Sequence, residues 1–229
     1  MLSTNYTKFL LFAVVAISHF SACRFWQTAG ETTKSLTEEN QPKRITPFST
    51  KEPPVYQAEV ITATYLNGQR FERKYFVAKR FGKNYIAFNV EDDNETAILE
   101  RGDGKTFILN KKKKSYIERA EGYSSIERDE LRSFLTTKWL NEKREAKFEN
   151  LGNEKNLAKF RVTIDDSHKT EVLIFVNEKL NLPIRQEFYS ISEGKRNLSY
   201  SIEVKNVRTQ VSEKLFKLPD GYQSKTVDD

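Results

Sequence analysis

Between Tyr56 and Val207 apolar and polar residues alternate with a period of two, and short turns punctuate the alternation. Parallel neighbours need crossovers of a dozen or more residues, and there is no room for them here. Ala58, Val60, Thr62 and Thr64 alternate with Glu59, Ile61 and Ala63. Asn67-Gly68 then gives the strongest short-range hairpin signal. Gln69 to Arg80 reads as the returning strand, turned at Phe81-Gly82-Lys83-Asn84 into Tyr85 to Val90. Asp92-Asp93-Asn94 turns into Thr96 to Arg101, and Gly102-Asp103-Gly104 into Thr106 to Asn110. Later runs are Glu145 to Leu151, Leu157 to Ile164, Glu171 to Val176, Ile184 to Ile191 and Leu198 to Val207. Asp165-Asp166-Ser167 and Glu193-Gly194 are turns among them, and Pro183 opens its strand. The chain is predicted to be mainly β, a single antiparallel meander of about ten or eleven strands.

One stretch breaks the period. Ser124-Ser125-Ile126-Glu127 has capping-box spacing, with Leu131, Phe134, Leu135 and Trp139 behind it on one helical face. Asp129 and Glu130 near the start and Lys138 near the end suit the helix dipole. A lone amphipathic helix among strands must lay its apolar face on the sheet. Leu131, Phe134 and Leu135 are therefore the candidate lid.

Ahead of the strands lie two segments of different character. Lys8 precedes a nine-residue apolar run, Phe9 to Ile17, and Ser21-Ala22 are small. A membrane-crossing helix needs about 20 apolar residues, so 1–22 reads as an export signal. Cys23 is the sole cysteine of 229 residues. Phe20-Ser21-Ala22-Cys23 resembles a bacterial lipobox, departing from it at Phe20 where Leu is usual. That resemblance implies that Cys23 carries a diacylglycerol and becomes the mature N-terminus; the alternative is an ordinary signal cleaved near Ala22. Residues 23–54, with Pro42, Pro47, Pro53 and Pro54, read as a lipidated end and a disordered tether. As a flexible coil the tether would span roughly 30 Å. The remaining 55–229 is one domain, large enough to bury a core without staples.

Several function classes fall away. A single cysteine excludes an intramolecular disulfide framework or a cysteine zinc site, and of two histidines one, His19, lies in the signal. No metal and no cofactor is expected. His168, after Asp165-Asp166-Ser167, sits in turn chemistry, where adjacent acid, hydroxyl and imidazole do not make a triad. Gly102-Asp103-Gly104 lacks the following helix of a phosphate loop. The chain reads as a non-enzyme. Net charge is +6 with acids and bases interspersed, which argues against a nucleic-acid partner. Only Lys111, Lys112, Lys113 and Lys114 cluster. They read as a solvated turn, or as headgroup contacts worth about 1 kcal/mol each at a membrane.

An exported chain, a long meander with one helix, and the closing Leu215-Phe216-Lys217-Leu218-Pro219-Asp220-Gly221-Tyr222 together resemble the LolA/LolB-like superfamily of periplasmic lipoprotein carriers. Its members commonly end in LF-x-x-P-x-G-Y, and Asn181-Leu182-Pro183-Ile184-Arg185 resembles the phrase before their final hairpin. The resemblance implies a strongly curved, open half-barrel over 55–223, with the helix covering a concave apolar side that binds acyl chains. It also implies an outer-membrane location facing the periplasm. Arg24 instead of Asp after the cysteine agrees with that destination.

If alternation sets the facing, Ile86, Phe88, Phe160, Val162, Ile174, Tyr200 and Ile202 point to one interior, with Trp139 above them. Two functions stay open on this reading. One is a lipoprotein that binds a lipid or lipidated chain in the cavity, in lipid or lipoprotein transport. The other is an envelope interaction module whose core is filled by its own side chains and which docks a protein partner.

Overall fold

The structure is a computed structural model that describes residues 46–48, 52–90, 95–119, 126–142, 146–164 and 169–225. Cys23 and the signal, the turn Asp92-Asp93-Asn94, Ser124 of the expected capping box, and Asp165 to His168 lie outside the described residues. Arg44–Asp229 forms one compact unit, and the following concerns that unit.

Twelve strands make one open, curved sheet. They are β1 (Val55–Leu66), β2 (Gln69–Arg80), β3 (Lys83–Phe88), β4 (Thr96–Glu100), β5 (Thr106–Asn110), β6 (Ser115–Arg119), β7 (Lys147–Glu154), β8 (Leu157–Ile164), β9 (Thr170–Asn177), β10 (Leu182–Ser192), β11 (Lys195–Arg208) and β12 (Gln223–Ser224). Their order across the sheet is β12-β6-β5-β4-β3-β2-β1-β11-β10-β9-β8-β7. Neighbours are antiparallel throughout, apart from the β12–β6 pair, which is parallel. The meander is thus two runs of hairpins joined where β1 pairs with β11, from Gln57↔Arg208 to Thr64↔Tyr200. That closing pair joins strands from opposite ends of the domain, and apart from it and the β12–β6 pair, chain order and sheet order coincide.

The turns are those the residues favour. Asn67 (φ 50°) and Gly68 (φ 76°) close β1 on β2 in the left-handed geometry that matches strand twist. Pro183, which has no N–H to give, lies where the β9–β10 register shifts, between Pro183 and Arg185. A second shift, at Phe188/Tyr189 opposite β11, re-aims the outer half of β10.

Helix α1 spans Ile126–Leu135, and a 3-10 turn, Lys138–Glu142, follows. The sequence predicts one helix through Trp139; the structure ends it four residues earlier. The Thr136 hydroxyl bonds back to the Arg132 carbonyl at 2.8 Å, and Thr137 takes φ 51°. A β-branched residue at positive φ cannot continue a right-handed helix. Trp139 is therefore presented by the 3-10 turn, not by the lid helix.

The sheet is covered on both faces. On the concave face lie two apolar clusters and α1. On the convex face Ala78, Ala87, Ala97, Leu99, Phe107 and Leu109 are covered by Val211 and Phe216, with Leu215, Leu218 and Tyr222 packed against them. So 215–222 is a strap returning over the outside of the half-barrel. Its 3-10 turn, Glu213–Phe216, is capped by the Ser212 side chain, which accepts from the Lys214 N–H. The domain also begins earlier than 55. Phe48, inside the stretch read as tether, is buried against Phe160 (ring centroids 4.8 Å) and Phe148 (6.1 Å).

Candidate functional site

Alternation decides which side chains reach the concave face. From β1, Tyr56, Ala58 and Val60 reach it; from β2, Tyr75 and Val77; from β3, Ile86 and Phe88; from β11, Ile202 and Val204. Leu131 and Leu135 of α1 close over this first cluster. Beyond β10 a second cluster holds Phe160, Val162 and Ile164 of β8 with Val172, Ile174 and Val176 of β9. Trp139 and Leu140 of the 3-10 turn close over that one. Burying a large apolar side chain contributes about 1.5–3 kcal/mol, so these two patches, with the convex-face cluster, carry much of the domain's stability.

Phe134 and Phe188 pack against both clusters. Phe134, at the end of α1, meets Phe188 of β10 edge to face at 5.7 Å and lies 5.7 Å from Tyr200 of β11. Phe188 in turn is 5.7 Å from Tyr200 and 5.2 Å from Trp139. Four aromatic rings thus form a seam between lid and sheet. Phe134, Phe188 and Tyr200 are only partly buried. Burial drives the Tyr200 phenol well above its ordinary pKa, so it stays neutral in the seam.

One buried polar side chain anchors the lid. Gln186, 1% exposed, accepts from the Trp139 indole N–H at 3.1 Å and donates to the Phe134 carbonyl at 2.7 Å. A single amide on the sheet thereby satisfies both the end of α1 and the following turn. Nearer the helix start, Arg128 is buried and pairs with Glu100 of β4 and, at 3.0 Å, with Asp129. Arg132 reaches the same Glu100 at 3.5 Å. Beside them Tyr56 donates to Glu52 at 2.8 Å. Burial, and then the Glu52 carboxylate, push that phenol well above its usual value.

The predicted lining residues fall as follows. Ile86, Phe88, Tyr200 and Ile202 belong to the first cluster, and Trp139, Phe160, Val162 and Ile174 to the second. All eight share the helix-covered side, and seven of them are buried, the exception being Tyr200. Leu131 and Leu135 of α1 belong to the first cluster, and Phe134 packs against both clusters. Val162 and Ile174 are 0% exposed, so their neighbours are other side chains. A cleft among the described residues, lined by Tyr56, Val77, Ile86, Arg132 and Leu135, has a volume of about 10 Å³, the room for about one water. Lys111 to Lys114 form the exposed β5–β6 turn, with Lys111 on Glu95 at 3.0 Å. They stand apart from the seam.

Sequence reading missed Gln186, Phe188 and Phe48. Phe188 lies two residues from Gln186 on a strand it recognised, so the alternation could have assigned both to one face. Gln186 gave no apolar signal, and Phe48 sits among prolines and polar residues.

No family model matches the chain, and no curated protein matches it. Solved structures do. The chain is similar to the Pseudomonas aeruginosa MucA/MucB complex at 14% identity and a TM-score of 0.43, over 71% of this chain and 55% of that one. It is similar to a LolA superfamily protein from Nitrosomonas europaea at 14% identity and a TM-score of 0.30, over 75% and 91%. A conserved protein from Thermus thermophilus is 11% identical at a TM-score of 0.40, over 74% and 88%. The chain spans a little over half the length of the MucB chains it matches. The fold is the open half-barrel that the LolA/LolB resemblance implied.

Proposed function

We propose that this chain is a membrane-tethered, non-enzymatic lipoprotein of the bacterial envelope that takes an acyl chain between the helix and the concave face of its sheet. The observation that carries this is the aromatic seam. Phe134, Phe188 and Tyr200 are partly buried rings meeting across a boundary between two separately formed elements. Exchanging ring contacts for methylenes keeps the seam apolar, and each buried methylene contributes about 0.8 kcal/mol. Gln186 and the Arg128–Glu100 pair are the polar ties that a swinging lid would break and remake. Cys23 supplies the anchor in this reading and 24–45 the tether, with the outer membrane, periplasmic side, as the destination. The ligand is a lipid or a lipidated chain in transit.

A second reading has its own observation. Val162, Val172 and Ile174 are fully buried among side chains of the same domain. That favours a self-filled core, with the protein acting as an interaction module for an envelope protein. Mass spectrometry of protein purified from its native host, together with uptake of a fluorescent fatty acid, separates the two. Co-purifying lipid and saturable uptake, both altered in Gln186→Leu, are expected of the carrier. A lipid-free protein without uptake leaves the interaction module.

A further inference from the structure

Phe81 is the most exposed of the large apolar side chains among the described residues, at 72%, against 54% for Leu66 and for Phe71. It also occupies an unfavourable backbone position. Phe81 (φ 43°) and Gly82 (φ 83°) close β2 on β3 in the geometry that Asn-Gly provides at 67–68. Asn, Asp and Gly accept that first position readily, whereas a bulky aromatic does not. The chain thus holds a phenyl ring in water at a site where a smaller polar residue would sit with less strain. That combination points to a use for the ring outside the domain.

Its surroundings say what the ring would meet. The Phe81 N–H donates to the Pro54 carbonyl at 3.1 Å, so Phe81 stands beside the start of β1. The Arg80 guanidinium lies 5.8 Å from the ring centroid. Arg80 and Lys83 share Glu213 as counter-ion, Arg80 at 2.7 Å. Lys214 and Lys217, both exposed, follow on the same strap. The β4–β5 turn adjoins Lys83 through Gly102 and brings the Arg101–Asp103 ion pair to the same rim. Arg80, Lys83, Lys214 and Lys217 thus leave the rim with more cations than carboxylates around an exposed aromatic. A ring sunk at headgroup depth with cations beside it is how proteins grip an anionic lipid surface.

We infer that the Phe81 rim rests in the interfacial layer of the membrane to which Cys23 ties the chain, its cations on anionic headgroups. The inference rests on the tether reading above. It fixes an orientation. Leu66 and Phe71 lie at the other end of β1 and β2, roughly 35–40 Å along the strands at about 3.4 Å per residue, and face away from the bilayer. Lys111 to Lys114, at that far end of β5 and β6, then face away too.

The test uses the full lipidated chain reconstituted into vesicles of phosphatidylethanolamine and phosphatidylglycerol with brominated acyl chains. Trp26 is replaced by Phe to remove its emission, and because Trp139 borders the seam, the signal of this parent chain in the same vesicles is subtracted from each variant. Phe81→Trp should show a blue shift and bromine quenching, with Phe71→Trp unquenched. Replacing phosphatidylglycerol by phosphatidylcholine should weaken the Phe81→Trp quenching. Quenching of Phe71→Trp with Phe81→Trp unquenched overturns the inference, and so does a vesicle-bound protein in which neither is quenched. Equal quenching in neutral vesicles overturns the part given to the cations. A chain that does not sediment with vesicles at all fails the tether reading, and the inference falls with it.

Discussion

The two faces of the sheet are covered in different ways. On the convex face the strap 209–225 is written into the sheet's own backbone network. Gln223 N–H donates to the Lys114 carbonyl at 2.9 Å, Lys225 N–H to Tyr116 at 2.8 Å, and β12 extends the sheet beside β6. On the concave face α1 and its 3-10 turn are tied through side chains, namely Gln186, Arg128, Arg132 and the aromatic seam. Backbone pairing is cooperative along a strand, whereas side-chain ties can be released one by one. The difference teaches that the convex cover is part of the sheet's own pairing, whereas the concave cover is held by side chains alone. That is where the proposed lid opening would have to act.

The largest expected effect breaks the convex cover. Phe216→Ala removes a ring that is 4% exposed and should cost about 3–5 kcal/mol, read as a lowered thermal midpoint. Fatty-acid uptake at temperatures below that midpoint should match wild type. A change in uptake there would break the division between the faces. The next effect is alkaline. Tyr85, packed against the convex cluster, is pushed up to about 12, chiefly by burial and then by Glu95. A phenol whose folded pKa exceeds its unfolded value, near 10, stabilises fully below pH 10. That contribution is lost as pH rises through about 12, and amounts to about 3 kcal/mol. Chemical denaturation between pH 9 and 12 measures it, and Tyr85→Phe should flatten the slope.

Gln186→Leu sharpens the concave side. It leaves the Trp139 N–H without its acceptor, which should cost about 1–3 kcal/mol, while fatty-acid uptake quickens because the lid opens more often. A destabilised variant with unchanged uptake would show that the lid does not gate the seam. The smallest effect is a gain. Phe81→Asn relieves a left-handed aromatic and should raise stability by about 0.5–1 kcal/mol. A lower melting temperature would mean that the ring packs against the domain.

Legibility in the sequence followed the same division. β2 and β8 run over the residues that the alternation predicts, because period two and turn chemistry are local and agree. The lid's contacts Leu131 and Leu135 were legible from helical spacing, but its end was not. Propensity alone does not show that Thr136 will turn its hydroxyl onto Arg132. The convex cover was illegible for a different reason. Ala78, Ala87 and Ala97 read as the small side of an alternation, and what buries them is a strap more than a hundred residues later. Phe175 was hidden likewise, since Arg185 lies 3.7 Å above its ring on a face that alternation marks as solvated. The seam required knowing that β10 and α1 meet, which no local pattern contains.

The two-residue strand β12 has a consequence out of proportion to its length. An open sheet ends in two edges, and an unguarded edge is a template on which other chains can add strands. At one edge β7 carries Lys147, Glu149 and Glu154, with its register broken between Asn150 and Asn153 around Gly152. At the other, Gln223–Ser224 lies across Ser115 and Tyr116 and covers the first part of β6's outer edge. A chain shortened before Gln223 would keep nearly all of its core and expose β6. Its failure would be in solubility, as slow growth of higher oligomers, well before any loss of fold could be measured.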